Sequence, residues 1–109
     1  MATFSPGLTE IFGALSDPTR LAVIERLALG PASVSELSHP FGLKGPSFLK
    51  HLRVLESAGL IRTRKKGRVR SAWLEPDALR WVEDWVARHR REWERRLDDL
   101  GDFLEQGDN

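Results

Sequence analysis

Around Gly59 the spacing of apolar residues changes from the period of a helix to that of a strand, and after Pro76 it changes back. Few architectures accommodate a block of short helices, one hairpin and then one long helix, so this switch limits the fold more than any other feature. In the hairpin, Ile61, Thr63, Val69, Ser71 and Trp73 are expected on one face and Arg62, Arg64 and Arg70 on the other. Keeping Ile61 and Trp73 together requires an odd-length loop around Gly67. Pro76 then opens a helix expected to run to about Glu105, roughly 45 Å long at 1.5 Å per residue.

Upstream of Gly59 the punctuation is helical. Leu8, Ile11, Phe12 and Leu15 recur at helical spacing until Ser16-Asp17-Pro18, where Asp17 can cap a second helix that begins at Pro18. Leu21, Ile24, Leu27 and Leu29 form that helix's apolar pattern, and Gly30-Pro31 ends it. Ser33-Val34-Ser35-Glu36 matches a capping box opening a short third helix closed by Pro40. After the turn Phe41-Gly42-Leu43, Gly45-Pro46 starts a fourth helix with Phe48, Leu52 and Leu55 on one face and Gly59 as its stop. The expectation is a mainly α chain of about five helices with a β-hairpin. It forms one domain over residues 1–109, with a helix-turn-helix at 33–58, the hairpin at 60–74 and the last helix at 76–105.

Charge is distributed unevenly over this framework. Residues 44–70 hold nine Lys/Arg and one acid in a chain whose formal net charge is only +1. A basic block on a helix and the hairpin after it is the electrostatic footprint expected of a nucleic-acid reader. With Phe48, Leu52 and Leu55 packed inward, Ser47, Lys50, Arg53 and Ser57 project outward, with His51 at the boundary. Lys44, Ser47, Lys50, His51 and Arg53 are the expected DNA contacts of this helix, its N-terminal end directed into the major groove. Lys50 can donate to guanine O6 or N7, and Ser47 or His51 to bases or phosphate. On the hairpin, Arg62, Arg64, Lys65, Lys66, Arg68 and Arg70 suit phosphates or the minor groove. Neutralising about six phosphates per dimer would give a logarithmic salt slope of about −5.

Several function classes are disfavoured. The chain has no cysteine, which removes disulfides and thiolate metal or redox sites. Its histidines stand on separate elements, no glycine-rich phosphate loop follows a strand, and a Ser47–His51 pair has no orienting acid, so no enzyme is expected. No stretch approaches the ~18 apolar residues of a membrane helix, and the first fifteen residues lack a basic leader, so a cytoplasmic protein is expected. The rival to DNA binding is a winged-helix adaptor whose basic hairpin meets acidic proteins. An adaptor would more often show an exposed apolar patch where the fourth helix is polar and basic.

The run Ala14-Leu15-Ser16-Asp17-Pro18-Thr19-Arg20, then Ser35-Glu36-Leu37, then His51-Leu52 with Leu55 and Ala58-Gly59-Leu60-Ile61, resembles the ArsR-type winged helix-turn-helix regulators. The resemblance covers nearly the whole chain. It implies a homodimer joined through the first and last helices, the hairpin serving as a wing, and repression of an operon that includes the regulator's own gene. Metal-sensing members carry a cysteine pair on the third helix or a His/Asp/Glu cluster between C-terminal helices. Here the third helix has no thiol and the last helix has the single histidine His89, so the resemblance is to the cysteine-free branch, without metal or other cofactor. Its Pro46–Leu52 segment is similar to that branch. The position of Leu49 is often Ser in the wider family, and Leu49 is not counted among the expected contacts.

The last helix carries Val82, Val86, His89, Trp93, Leu97, Leu100 and Leu104 at 4-3-4-4-3-4 spacing, widened by Trp81 and Trp85. One small domain could hardly cover such a stripe, and a two-fold dimer would bury it on both subunits. The expected interface comprises Leu8, Ile11, Phe12, Trp81, Trp85, His89, Trp93, Leu97, Leu100 and Leu104. Two recognition helices would then meet successive major grooves of a near-palindromic operator. An alternative use of the tryptophans is a pocket between subunits for an unidentified small-molecule effector. Arg88, Arg90, Arg91, Arg95 and Arg96 alternate with Glu92, Glu94, Asp98 and Asp99 and read as a self-compensating solvated face.

Overall fold

The computed structural model describes residues 7–43 and 45–107. The chain divides into two units, the first ending at Leu79 and the second starting at Arg80. The first contains α1 (Leu8–Leu15), α2 (Pro18–Leu27), β1 (Ala32–Ser33), α3 (Val34–Ser38), a 3-10 turn at His39–Phe41, α4 (Gly45–Ser57), β2 (Ile61–Lys66) and β3 (Val69–Leu74). It also includes the opening of α5 (Pro76–Gly107).

Local chemistry sets these boundaries. Asp17 has extended backbone, and its Oδ2 accepts from the backbone N–H groups of Thr19 at 2.9 Å and Arg20 at 3.1 Å, satisfying donors that the first turn of α2 leaves without helical partners. The capping box of α3 has both halves: Glu36 N–H donates to Ser33 Oγ and Ser33 N–H to Glu36 Oε1. At the end of α4, Gly59 adopts φ 77°, its N–H donates to Glu56 O, and Leu60 N–H reaches Leu55 O. This paired closure needs a left-handed residue, which glycine supplies without Cβ strain.

The core of this unit gathers Ile11 and Ala14 of α1, Val23, Ile24 and Leu27 of α2, Leu37 of α3, and Phe48, Leu52 and Leu55 of α4, with Leu60, Ile61 and Ala72. α4 packs against α1, α2 and β2, and Phe41 stacks on Phe48 with ring centroids 5.8 Å apart. One face of α4 is therefore pinned by the core, which determines the direction of the other.

Three local expectations are corrected. Leu21 and Leu29 are exposed, and Val23 joins Ile24 and Leu27 in the buried stripe of α2. Pro40 closes α3 as expected, since the helix ends at Ser38 with His39 as its C-cap, and Pro40 lies in the 3-10 turn that follows. A two-residue strand, Ala32–Ser33, pairs with Ala72 and Ser71, giving a three-stranded antiparallel sheet of order β1-β3-β2. Two residues carry no periodicity, so sequence spacing could not reveal it.

The third correction concerns hairpin register. Lys66 pairs with Val69 across a two-residue loop, Gly67-Arg68, and Ile61 pairs with Leu74, not Trp73. Ile61, Thr63, Lys65, Arg70, Ala72 and Leu74 consequently share one face, and Arg62, Arg64, Lys66, Val69, Ser71 and Trp73 the other. Gly67 at φ 63° supplies the positive φ that a tight hairpin turn needs. The inward face takes the small Ala72, fully buried beside Ile61, whereas Trp73 is only half-buried. An odd-length loop was expected, and the two-residue loop places Trp73 opposite Arg62 on the outer face instead.

The second unit is a single helical stretch from Arg80. Trp81, Val86, Trp93, Leu97, Leu100, Phe103 and Leu104 are all exposed on it.

Candidate nucleic-acid interface

The outward face of α4 presents Ser47, Lys50, Arg53 and Ser57, all exposed, opposite the buried Phe48, Leu52 and Leu55. Lys44 lies outside the described residues. His51 is held differently from its neighbours. Its Nδ1 sits 3.2 Å from the Arg20 guanidinium and 3.8 Å from Asp17 Oδ2, and its side chain keeps 23% exposure. Arg20 also donates through Nε to Ala14 O at 2.7 Å and to Gly13 O, so one guanidinium joins the end of α1, the start of α2 and the middle of α4. The backbone N–H of Arg20 first, with that of Thr19 and the Arg20 guanidinium adding to it, holds the Asp17 carboxyl below its usual range, while burial opposes. Glu36 is lowered in the same way, first by the Ser33 backbone N–H and then by its hydroxyl.

The wing cations separate into two sets. Arg62 is ion-paired with Glu75 at the base of the hairpin. Arg70 donates to Thr63 Oγ1 at 2.9 Å, and that hydroxyl donates to Glu56 Oε2 at 3.2 Å, forming a chain from β3 through β2 to α4. Arg64, Lys65, Lys66 and Arg68 are exposed and make no side-chain hydrogen bond or ion pair among the described residues. Cationic capacity without an internal partner is thus concentrated toward the hairpin tip. Sequence reasoning singled out neither Glu56 nor Glu75, and it placed Thr63 only on a strand face. The lone acid of the basic block, Glu56, was the available signal.

The expected interface residues also divide. Leu8 and Ile11 are buried, so they serve the core and are not available to a second subunit, whereas Phe12 is exposed. The α1 face that meets α2 and α4 takes the leucine and isoleucine, and Phe12 falls on the next face round. On the C-terminal helix, Trp93 is 61% exposed, and Trp81, Leu97, Leu100 and Leu104 are exposed with it. Trp85 is half-buried and packs on His89, ring centroids 4.5 Å apart. Phe103, 68% exposed, belongs with this apolar set and was overlooked because it falls one residue before Leu104, off the four-and-three spacing. Arg96 bonds Glu92 at 2.8 Å within the same helix.

Among the described residues no group of three or more His, Cys, Asp or Glu is placed to hold a metal, and no helix is long and apolar enough to cross a membrane.

A helix-turn-helix whose last helix leads into a small antiparallel sheet with a basic hairpin defines the winged helix-turn-helix class of proteins. Residues 15–64 match the helix-turn-helix domain family. A crystal structure of an ArsR family transcriptional regulator is 50% identical, with TM-score 0.80 over 86% of this chain and 97% of that one. The HTH-type transcriptional regulator Rv2034 of Mycobacterium tuberculosis is 42% identical over 61% of this chain and 62% of the relative, so the chain spans less than two thirds of that protein's length. A solution structure of a homodimeric winged helix-turn-helix DNA-binding domain from Mycobacterium bovis has TM-score 0.62 at 22% identity, over 84% of this chain and 93% of that one, which is a likeness of fold. The chain belongs to the ArsR family of transcriptional regulators.

Proposed function

We propose that this protein is a homodimeric, sequence-specific double-stranded DNA-binding regulator that represses its own operon. The observation that carries this reading is the polarity of α4: three core residues pin one face, and Ser47, Lys50 and Arg53 stand exposed on the other beside a wing with unpaired cations. In this reading Lys50 and Ser47 address base edges, Arg53 and Lys44 flank them, and Arg64, Lys65, Lys66 and Arg68 neutralise phosphates. Arg62 and Arg70, already engaged by Glu75 and Thr63, chiefly orient the wing. The second copy covers Trp93, Leu97, Leu100, Phe103 and Leu104, together with Phe12, and a two-fold axis makes the operator near-palindromic. A cytoplasmic location, without membrane or enzymatic role, accompanies this reading.

The test is a gel-shift titration with the duplex upstream of the protein's own gene. Specific binding about 1,000-fold or more tighter than to random duplex is expected. Equal affinity for both would defeat the proposal and favour an adaptor that meets acidic proteins through the wing.

A further inference from the structure

Arg20 and His51 are far apart in sequence and lie in contact in the fold, and their chemistry restricts what His51 can offer DNA. A guanidinium is always protonated and has five N–H donors but no acceptor. Its 3.2 Å contact with Nδ1 is therefore a hydrogen bond only when Nδ1 carries a lone pair, which places the proton of the neutral ring on Nε2. The competing arrangement, Nδ1–H donating to Asp17 Oδ2, would have to close a 3.8 Å gap, and that oxygen already accepts the Thr19 and Arg20 backbone N–H groups. Arg20 is itself fixed, because its Nε and second terminal nitrogen are bound to Ala14 O and Gly13 O.

We infer that Arg20 is a positioning residue that sets the tautomer of His51, so that the recognition helix presents Nε2–H as a donor. A donor at this place suits guanine N7 or O6, adenine N7, thymine O4 or a phosphate oxygen. A bare Nε2 would instead suit the amino groups of cytosine or adenine. This deepens the DNA-binding reading and rests on it for its second half. The first half concerns the free protein alone.

Imidazole 15N shifts of the free wild-type protein at pH 8 test that half directly. The expected spectrum has a pyridine-like Nδ1 and a pyrrole-like Nε2 for His51, and Arg20→Met should return the ring to a tautomer mixture while Arg20→Lys, which keeps a donor, partly restores it. A wild-type ring that is already mixed, or protonated on Nδ1, overturns the inference without need of any variant. The second half is read by selection from a random-sequence duplex library. His51→Asn keeps an acceptor where Nδ1 stood but lacks the outer donor, and His51→Gln keeps an amide donor near Nε2. Asn should lose base preference about tenfold at one position per half-site, or lose affinity uniformly if the acceptor is phosphate, and Gln should retain more of either. Unchanged binding by His51→Asn overturns the specificity role. Failure of the wild type to enrich any duplex would remove the DNA-binding reading and this second half with it, and the spectrum would still decide the tautomer.

Discussion

The winged unit and the helix from Arg80 are both amphipathic by sequence, yet they dispose of their apolar residues in opposite ways. In the first, Ile11, Phe48, Leu55, Leu60 and Ala72 are completely buried, and helix ends are closed by Asp17, by the Ser33–Glu36 box and by Gly59. In the second, Trp93, Leu97, Leu100, Phe103 and Leu104 remain exposed, and the described support includes the Arg96–Glu92 pair. Helices draw most of their stability from packing an apolar face, and an i,i+4 ion pair supplies only about 0.3–0.5 kcal/mol. The contrast separates a surface whose purpose is internal stability from one that, in the proposed homodimer, a second chain would cover.

The sharpest way to break that contrast is to charge the exposed stripe. Leu97→Asp together with Leu100→Asp should raise the dimer dissociation constant by about 100-fold or more, because carboxylates would be buried opposite their own copies. Sedimentation velocity checks it, and a dimer of unchanged affinity would show that the stripe has another occupant. Next in size is Phe48→Ala, which removes a fully buried ring and should destabilise the protein by about 3–5 kcal/mol in urea unfolding. Its damage should be largely independent of protein concentration, whereas that of the Asp pair should not.

Within the wing the same comparison applies on a smaller scale. Arg68→Ala should reduce the salt slope of DNA binding by about 2 per dimer, one phosphate contact for each copy, whereas Arg62→Ala, whose charge already faces Glu75, should change it by less. Equal slopes for the two variants would show that tip and base act alike. The smallest effect expected is on acid stability. Asp17 and Glu36 are lowered in the fold, so their contributions are fully present above the ordinary carboxylate range and disappear as pH falls through their depressed folded values. Asp17→Asn should therefore flatten the loss of thermal stability on acidification, and an unchanged pH profile of Tm would contradict the cap's ionic character.

Much of the fold was legible because its signals are local. The Asp17-Pro18 start, the Ser33–Glu36 box, the Gly59 stop and the Phe48-Leu52-Leu55 face each depend on residues within one or two turns, and each forms as expected. The register of the wing was not legible, since it depends on which side chain fits the core opposite Ile61, and Leu74 with Ala72 meets that need where Trp73 does not. Leu8 and Ile11 were misassigned for a related reason: helical spacing reveals an apolar face but not whether its partner is the same chain or another.

The candidate site shows the same division. Sequence by itself determined the concentration of positive charge between residues 44 and 70, the polar face of α4, the absence of thiol chemistry and the apolar stripe of the last helix. Only the tertiary structure decided which cations are already occupied, by Glu75 and by the Thr63–Glu56 chain, and which ring nitrogen of His51 is engaged by Arg20. Charge and periodicity are written along the chain and survive in any conformation. Hydrogen-bond partners separated by seven, thirteen or thirty-one positions exist only after the backbone has brought them within about 3 Å of one another.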